Sequence, residues 1–377
     1  MEIVLSKESP IPLHLQLLNQ LRRLVLSGDW PPGTHVPSEH TLQVTLGVSR
    51  GTIRQAIRQA EAEGLVETVP GKGTFVAVRP AQQGPSRLIG FVIPFFCSTF
   101  DSQLLQGTEQ AAKAQGYRVI FCNSERKVQE ENRQLASLLQ ERMAGVVVWP
   151  VMGNADDRLL VTLSAQGVPV ALVDRTVPGL EADLALCDNF GGGYAATRHL
   201  IELGHRRIVF LARDHLHLLP IAERLRGYRQ AMTDAGLDPL EPMVVRIPHE
   251  ISTLDALRAY ADGTGEDIAE IARHLTRSPQ ITALVGMNDL LALAALKAAS
   301  ALGVRVPQQL SVTGFDDLEV VSHLPVPLTT VAQDPLALGR EAATLLLRRV
   351  EDGPGLPRRV VLPTQLIRRA STAVPPG

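Results

Sequence analysis

One stretch constrains the fold more than any other. Residues Pro37 to Arg58 (PSEHTLQVTLGVSRGTIRQAIR) prescribe two short helices that meet at Gly47. Ser38 is placed to cap the first, Leu42 and Leu46 repeat at i and i+4, and Gly47 supplies the turn. Ser49 is placed to cap the second. Along it Ile53, Ile57 and Ala60 form an apolar stripe, while Arg50, Arg54 and Arg58 recur on a different face. Taken alone, arginines at this spacing read as a solvated face. The residues that follow change the balance. Leu65 to Val69 and Thr74 to Val78 are two β-rich runs joined by Pro70-Gly-Lys-Gly73, a turn with a cation at its tip. Helix, turn, helix, a stop at Gly64 and a two-stranded wing make a nucleic-acid reader.

In that order the segment from about residue 10 to 78 resembles the GntR family of bacterial regulators. Pro12-Leu13, Pro31 to Thr34 and Pro37-Ser38-Glu39 also fall on the family's pattern. The resemblance implies DNA contacts from Ser38, Ser49, Arg50, Thr52 and Arg54, and from Gly71 and Lys72 in the wing. A further helix from Pro12 to Ser27, with Leu17, Leu21, Leu24 and Val25 at near-helical spacing, is expected to pack behind the reader.

The chain has 377 residues, enough for two or three domains, and its net charge of −2 does not advertise nucleic-acid binding. Residues 1–80 carry eight basic and seven acidic side chains, a net of +1. DNA affinity must therefore rest on where the charges lie and on two heads acting together. Cys97, Cys122 and Cys187 are odd in number and widely spaced, which argues against a disulfide framework or a zinc site. They read as core thiols in a reducing compartment. The amino terminus lacks a signal-peptide pattern, and the longest apolar run, near Gly145 to Met152, is too short to span a bilayer. A cytoplasmic protein without membrane association is expected.

Residues 1–78 read as the DNA-binding domain and 79–87, rich in Pro, Gly and Gln, as a linker. From residue 88 to 377 apolar strand runs alternate with helical stretches. Strands are expected at 88–94, 118–124, 145–151, 169–175, 185–189, 207–213, 243–247, 283–287 and 312–315, with helices at about 102–116, 128–143, 155–166, 190–203, 221–236, 266–277 and 289–302. Regular βα alternation over this length implies an α/β body of two doubly wound parallel-sheet lobes. Asp174-Arg175, Asp188-Asn189, Asn288-Asp289 and Asp316-Asp317 each follow an apolar run, at the strand edge where such sheets bind ligands. Singly, each pair reads as a helix N-cap or turn. Four pairs in two lobes point to a shared cleft, and carboxylates, amides and an arginine together suit a neutral polyhydroxy ligand.

The body also resembles the effector domain of LacI/GalR regulators. The likeness rests on Ile93-Pro94 with Phe100 and Gly107, Val173-Asp-Arg175, Leu203-Gly-His205-Arg, Glu223-Arg-Leu-Arg-Gly-Tyr228, Met287-Asn-Asp-Leu-Leu-Ala-Leu293, Val312-Thr-Gly-Phe-Asp-Asp317 and Pro327-Leu-Thr-Thr-Val331. It implies a fold similar to type I periplasmic-binding-protein-like domains, behind an N-terminal winged helix-turn-helix. Two lobes would be joined by three crossings, near Asp188, near Thr330 and in the last 30 residues. It further implies effector contacts from Phe100, Asp174 and Arg175 in the first lobe, from Arg224, Asn288 and Asp316 in the second, and from Gln333 at a crossing. The family's usual Asn before the aromatic segment is Ser98 here, and His249 stands near Ile247, where the family often has an aromatic.

Gly191-Gly-Gly193-Tyr-Ala-Ala196 also satisfies G-x-G-x-x-A after a strand, with Asp214 about 20 residues on, as a dinucleotide site would require. At the same positions the LacI/GalR likeness places only a crossover into the second lobe's first helix. Lys113, Lys127 and Lys297 lack the surroundings of a Schiff-base lysine, and no Ser/His/Asp or metal constellation stands out. The reading is therefore a ligand-responsive transcription regulator without a cofactor. It would be a homodimer on double-stranded operator DNA, a repressor released by a sugar or sugar derivative; a co-repressor or an activator would use the same residues. A regulator sensing a nucleotide cofactor, or an α/β enzyme fused to a DNA-binding head, is the alternative.

Overall fold

In the computed structural model, residues 12–26, 28–77, 86–141, 143–151, 158–246 and 253–376 are described, with Ile3 and Leu5. Most of the expected linker and the segment holding His249 lie outside them. The chain divides into two compact units, 1–84 and 85–377.

The first unit is three helices and a hairpin. α1 (Leu13–Leu26), α2 (Glu39–Leu46) and α3 (Arg50–Ala62) precede β1 (Val66–Val69) and β2 (Gly73–Val76), which pair antiparallel with Val66 opposite Val76. The caps act as their sequence positions require. Ser38 Oγ accepts from Thr41 N at 3.1 Å, Ser49 Oγ accepts from Thr52 N at 3.2 Å, and Gly47 ends α2 at φ 64°, a left-handed value that glycine adopts without penalty. Leu17, Leu18 and Leu21 of α1 pack against Ile53, Ala56 and Ala60 of α3 and against Val66 and Val76 of the hairpin. Burying such a set, at about 1.5–3 kcal/mol per large side chain, gives a unit of this size a core of its own on which α3 packs.

The second unit has two lobes. The first contains β3 (Leu88–Ile93), α4 (Thr99–Ala114), β4 (Arg118–Asn123), α5 (Val128–Gln140), β5 (Gly145–Val148), α6 (Arg158–Ala165), β6 (Val170–Val173) and β7 (Asp183–Cys187). The second contains α7 (Asn189–Glu202), β8 (Ile208–Arg213), α8 (Leu219–Asp234), β9 (Met243–Val245), α9 (Thr253–Asp262), α10 (Glu266–Arg277), β10 (Ala283–Gly286), α11 (Asp289–Ala301), β11 (Ser311–Asp316), the short α12 (Glu319–Ser322) and β12 (Thr329–Ala332). The chain then returns to the first lobe with α13 (Pro335–Asp352) and β13 (Arg359–Leu362), and ends in the second with β14 (Gln365–Ile367).

Each sheet has six strands. The first is wholly parallel in the order β13-β7-β6-β5-β3-β4; the second runs β14-β12-β11-β10-β8-β9 and is parallel except for β14. Strands such as Gly145–Val148 and Val170–Val173 are buried throughout because helices cover both faces, which is why they read as unbroken apolar runs. The three crossings fall where the LacI/GalR likeness puts them, from β7 to α7, β12 to α13 and β13 to β14. The strand expected at 185–189 runs instead from Asp183 to Cys187, since Asp188 and Asn189 already open α7.

Both lobes use one packing device. In the first, a Cβ on Gly107 of α4 would lie 2.0 Å from Leu336 O, and one on Gly339 of α13 would lie 2.0 Å from Leu104 O. In the second, a Cβ on Gly193 of α7 would meet Arg224 O at 2.3 Å, and one on Gly227 of α8 would meet Phe190 O at 2.2 Å. Paired glycines thus bring two helix backbones into direct contact. Cys122 and Cys187 are buried, and burial pushes the Cys187 thiol up to about 12; Cys97, expected in a core, is exposed.

Candidate functional site

Phe100, Asp174, Arg175, Arg224, Asn288, Asp316 and Gln333 all line one cavity of about 190 Å³ between the lobes. Strand ends place most of them. Asp174 and Arg175 follow β6, Asn288 follows β10, Asp316 ends β11, and Gln333 follows β12 at the second crossing. The turn geometry is strained for the purpose. Asp174 at φ 70°, Asp316 at φ 114° and Arg126 at φ 60°, also on the wall, hold left-handed backbone that costs a non-glycine residue on the order of 1 kcal/mol.

Arg224 is the most constrained side chain of the set. Its Nε donates to Asn189 Oδ1 at 2.8 Å, its Nη1 donates to Met287 O at 2.6 Å and lies 3.6 Å from Asp316 Oδ1, and its guanidinium sits 3.6 Å from the centroid of the Phe315 ring. Gln333 Nε2 donates to the same Asp316 oxygen at 2.7 Å. Burial pushes the Asp316 carboxyl up to about 6 against the opposing pull of Arg224 and Gln333. Asp289, fully buried behind it, accepts from Leu318 N and Thr330 Oγ1 and is raised in the same direction by burial and by Asp316. The first lobe answers with Asp174 Oδ2, which accepts from Arg175 Nη2 at 2.8 Å.

Of the four strand-end pairs, two side chains also serve as caps. Asp188 Oδ1 accepts from Gly191 N at 2.8 Å and Asn288 Oδ1 accepts from Leu291 N at 3.0 Å. Asp188 and Asn189 do not line the cavity; Asn189 supports Arg224 instead, and Asp317 pairs with Arg369 at 2.7 Å. Several wall residues escaped the strand-end argument. Phe95, Asp101, Arg126, Trp149, Arg213 and His215 line the same cavity. Trp149 lies at the centre of an aromatic group, 5.0 Å from Phe95 and 5.8 Å from Phe100 between ring centroids. Trp149 directly follows β5 but lies inside the run 145–151 that reads as strand, so only its residue type was available as a signal.

The G-x-G-x-x-A segment is spoken for. Protein atoms fill the space around all three glycines: Asp188 at Gly191, Phe315 at Gly192 and Arg224 at Gly193. The amino end of α7 is capped by the carboxylate of Asp188, opposite in effect to the open, anion-seeking end that a pyrophosphate needs. His205 is likewise structural, bonded to Thr282 and Ser311 at 2.9 Å each, with burial lowering its affinity for a proton.

In the winged unit the predicted DNA residues are exposed or half-buried. Ser49, Arg50 and Arg54 are exposed at the start of α3, with Thr52 half-buried beside them, and Ser38 is exposed at the start of α2. Gly71 at φ 77° and Lys72 form the exposed wing tip. Two of the arginines have internal partners: Arg50 Nε donates to Gln43 Oε1 at 2.9 Å, and Arg54 pairs with Glu39 at 2.9 Å. Both contacts are exposed, and an exposed ion pair such as Arg54–Glu39 is worth only about 0–1 kcal/mol, so neither fixes its arginine firmly.

Residues 13–76 match the bacterial regulatory proteins of the gntR family, and residues 197–372 match the periplasmic binding protein-like domain. The HTH-type transcriptional regulator CelR of Thermobifida fusca is 33% identical over 279 residues, 73% of this chain and 77% of that protein. The chain belongs to the bacterial transcription regulators, with a GntR head on a LacI/GalR-type body. This regulator is also similar along nearly its whole length to the arabinose metabolism transcriptional repressor of Geobacillus stearothermophilus, 29% identical over 355 residues, covering 92% of this chain and 93% of the relative. Among solved structures, a CelR–cellobiose complex superposes with a TM-score of 0.64 at 28% identity, covering 89% of the regulator and all of that chain. The regulator's head is its DNA-binding part. Among the described residues no helix is long and apolar enough to cross a membrane.

Proposed function

We propose that the regulator is a repressor of sugar-utilisation genes, released from its operator when a neutral monosaccharide enters the interlobe cavity. One observation carries the ligand class. Each arginine of the wall has a carboxylate beside it: Arg175 has Asp174 at 2.8 Å, Arg224 has Asp316 at 3.6 Å, and Arg213 has Asp267 at 2.7 Å. Burial raises the Asp101 carboxyl, and Arg126 lies near enough to pull it part of the way back toward ionisation. A phosphate or carboxylate entering the cavity would meet no uncompensated cation, whereas sugar hydroxyls can both donate to the carboxylates and accept from the guanidiniums. The size agrees, since about 190 Å³ lies below the 300–1,000 Å³ typical of pockets for drug-sized ligands. The relatives named for arabinose metabolism and the complex with cellobiose support a sugar.

In this reading Phe100 faces the sugar ring, Asp174, Arg175, Arg224, Asn288, Asp316 and Gln333 bind its hydroxyls, and closing the lobes re-angles a homodimer's heads on a two-fold operator. Ser38, Ser49, Arg50, Thr52, Arg54, Gly71 and Lys72 contact that operator. Residues 1–78 form the DNA-binding domain, 79–87 the linker and 88–377 the effector and dimerisation domain. The protein works in the cytoplasm and catalyses no reaction; the family, in which a DNA-binding head is governed by a binding cleft, supports both statements.

A thermal-shift screen against pentoses, hexoses, disaccharides, sugar phosphates and NAD(H) tests the reading. A ligand at 100 times its dissociation constant stabilises by about 2.7 kcal/mol. A neutral monosaccharide should shift the melting curve and weaken operator binding by about 5- to 150-fold, the range of typical allosteric coupling. A shift with phosphates or NAD(H) alone overturns it.

A further inference from the structure

Three buried polar atoms of the first-lobe wall have no hydrogen-bond partner among the described residues: Asp101 Oδ1, Trp149 Nε1 and Arg175 Nη1. All three side chains line the cavity, and Asp101 is 0% and Trp149 7% exposed. Buried polar groups are almost always paired, so three unpaired ones on one wall are an exception that asks for a cause. Asp101 and Arg175 have their other polar atoms engaged, and Trp149 is held by its aromatic neighbours. Asp101 Oδ2 accepts from Cys97 N at 2.9 Å, Ser98 N at 2.9 Å and Ser98 Oγ at 2.8 Å, in a capping box at the start of α4. Arg175 commits Nε and Nη2 to Asp174, and its guanidinium lies 5.8 Å from the centroid of the Trp149 ring. These contacts fix the side chains and leave one acceptor and two donors open.

We propose that Asp101, Trp149 and Arg175 form a hydroxyl-reading subsite, in which one sugar hydroxyl donates to Asp101 Oδ1 and ligand oxygens accept from Trp149 Nε1 and Arg175 Nη1. The proposal rests on the sugar-binding reading above and adds to it the residues that select among sugars. An acceptor that cannot turn away makes the subsite demanding. A deoxy sugar lacking the matching hydroxyl would leave the Asp101 carboxylate buried and unpaired, the circumstance in which discrimination by hydrogen bonding is strongest. Phe100, beside Asp101 in the chain and 5.8 Å from Trp149, would set the plane of the ring that presents those hydroxyls.

The test uses the full-length protein and the sugar identified by the screen. In Asp101→Asn the amide oxygen can keep the three capping contacts while an NH2 replaces the open acceptor; Trp149→Phe removes the indole donor and keeps an aromatic ring. Titration calorimetry should show each variant binding the sugar at least tenfold more weakly than wild type, with operator affinity in the absence of sugar unchanged. Among the monodeoxy analogues that wild type binds more weakly than the parent sugar, one, lacking the hydroxyl that Asp101 reads, should be bound no more weakly by Asp101→Asn than by wild type. Wild-type sugar affinity in both variants, or an Asp101→Asn penalty of equal size for every deoxy analogue, overturns the subsite and leaves the sugar reading intact. Absence of sugar binding by wild type overturns the reading, and the subsite with it.

Discussion

Arg224 Nε donates to Asn189 Oδ1 at 2.8 Å, and so ties a cavity arginine to the second residue past the first lobe-to-lobe strand. Asn189 is 2% exposed and its Nδ2 donates to Cys187 O at 3.1 Å, so it spans the crossing itself. Asn189→Ala should cost about 1–3 kcal/mol of stability, because it strands a buried donor and a buried acceptor. Sugar affinity should also fall, although Asn189 touches no part of the cavity. Urea denaturation and calorimetry on the same preparation check both; lost stability with unchanged affinity would place Arg224 correctly without its support.

The two glycine contacts predict a difference between lobes. Gly193→Ala and Gly339→Ala each drive a methyl group against a backbone carbonyl, so each should destabilise by about 1–3 kcal/mol. Only Gly193 abuts the backbone of Arg224. Its variant should therefore bind sugar less well than Gly339→Ala at matched stability, with melting temperatures and affinities compared side by side. Equal affinities would mean that α8 yields without moving Arg224.

Asp316 predicts a pH dependence of definite sign. Burial raises its carboxyl from 3.8 to about 6, so the folded protein holds this proton more tightly than the unfolded chain. The group costs nothing below about pH 4, costs progressively more between about 4 and 6, and costs a constant amount above, on the order of 1–3 kcal/mol. Asp316→Asn abolishes the term. The melting temperature of the variant minus that of wild type should rise across that window and then level; a difference that is flat with pH would contradict the raised carboxyl.

On the head, Arg54→Ala should weaken operator binding by about 1–3 kcal/mol in fluorescence anisotropy. Glu39→Gln removes the partner of Arg54 at an exposed pair, so folding stability should change by less than about 1 kcal/mol and operator affinity should hold or rise. A loss of operator affinity in Glu39→Gln equal to that of Arg54→Ala would mean that Glu39 orients the arginine on DNA.

The head was legible because its signals are local: Ser38, Gly47, Ser49 and the turn at Gly71 act on residues within four positions of themselves. The parallel strands were legible because burial on both faces leaves no polar alternation. Strand ends carried Asp174, Arg175, Asn288 and Asp316, and the LacI/GalR likeness carried Phe100, Arg224 and Gln333. Asp101 and Trp149 were missed for opposite reasons, the first because it lies within a helix, the second because it reads as one more apolar residue of a strand run. The amphipathic α9 and α13 went unassigned, and the crossings came only through the LacI/GalR likeness. Nothing near Pro335 in the chain says that the helix starting there packs on Leu104 and Thr108, more than 200 residues back. Asp188 and Asn288 were correctly found at strand ends, yet part of their work is capping, a use that residue type and position cannot separate from ligand binding.

The threefold crossing bears on how such a protein can change its ligand over generations. Neither lobe is a continuous piece of chain: the first is built from 88–187 and 335–362, the second from 189–332 and 365–367. A single recombination between relatives therefore leaves one sheet holding strands from two parents, and exchanging a whole lobe takes three joins. The head, by contrast, is contiguous and can be inherited as a block. New operators are open to gene fusion, while new ligands must come by substitution within the wall.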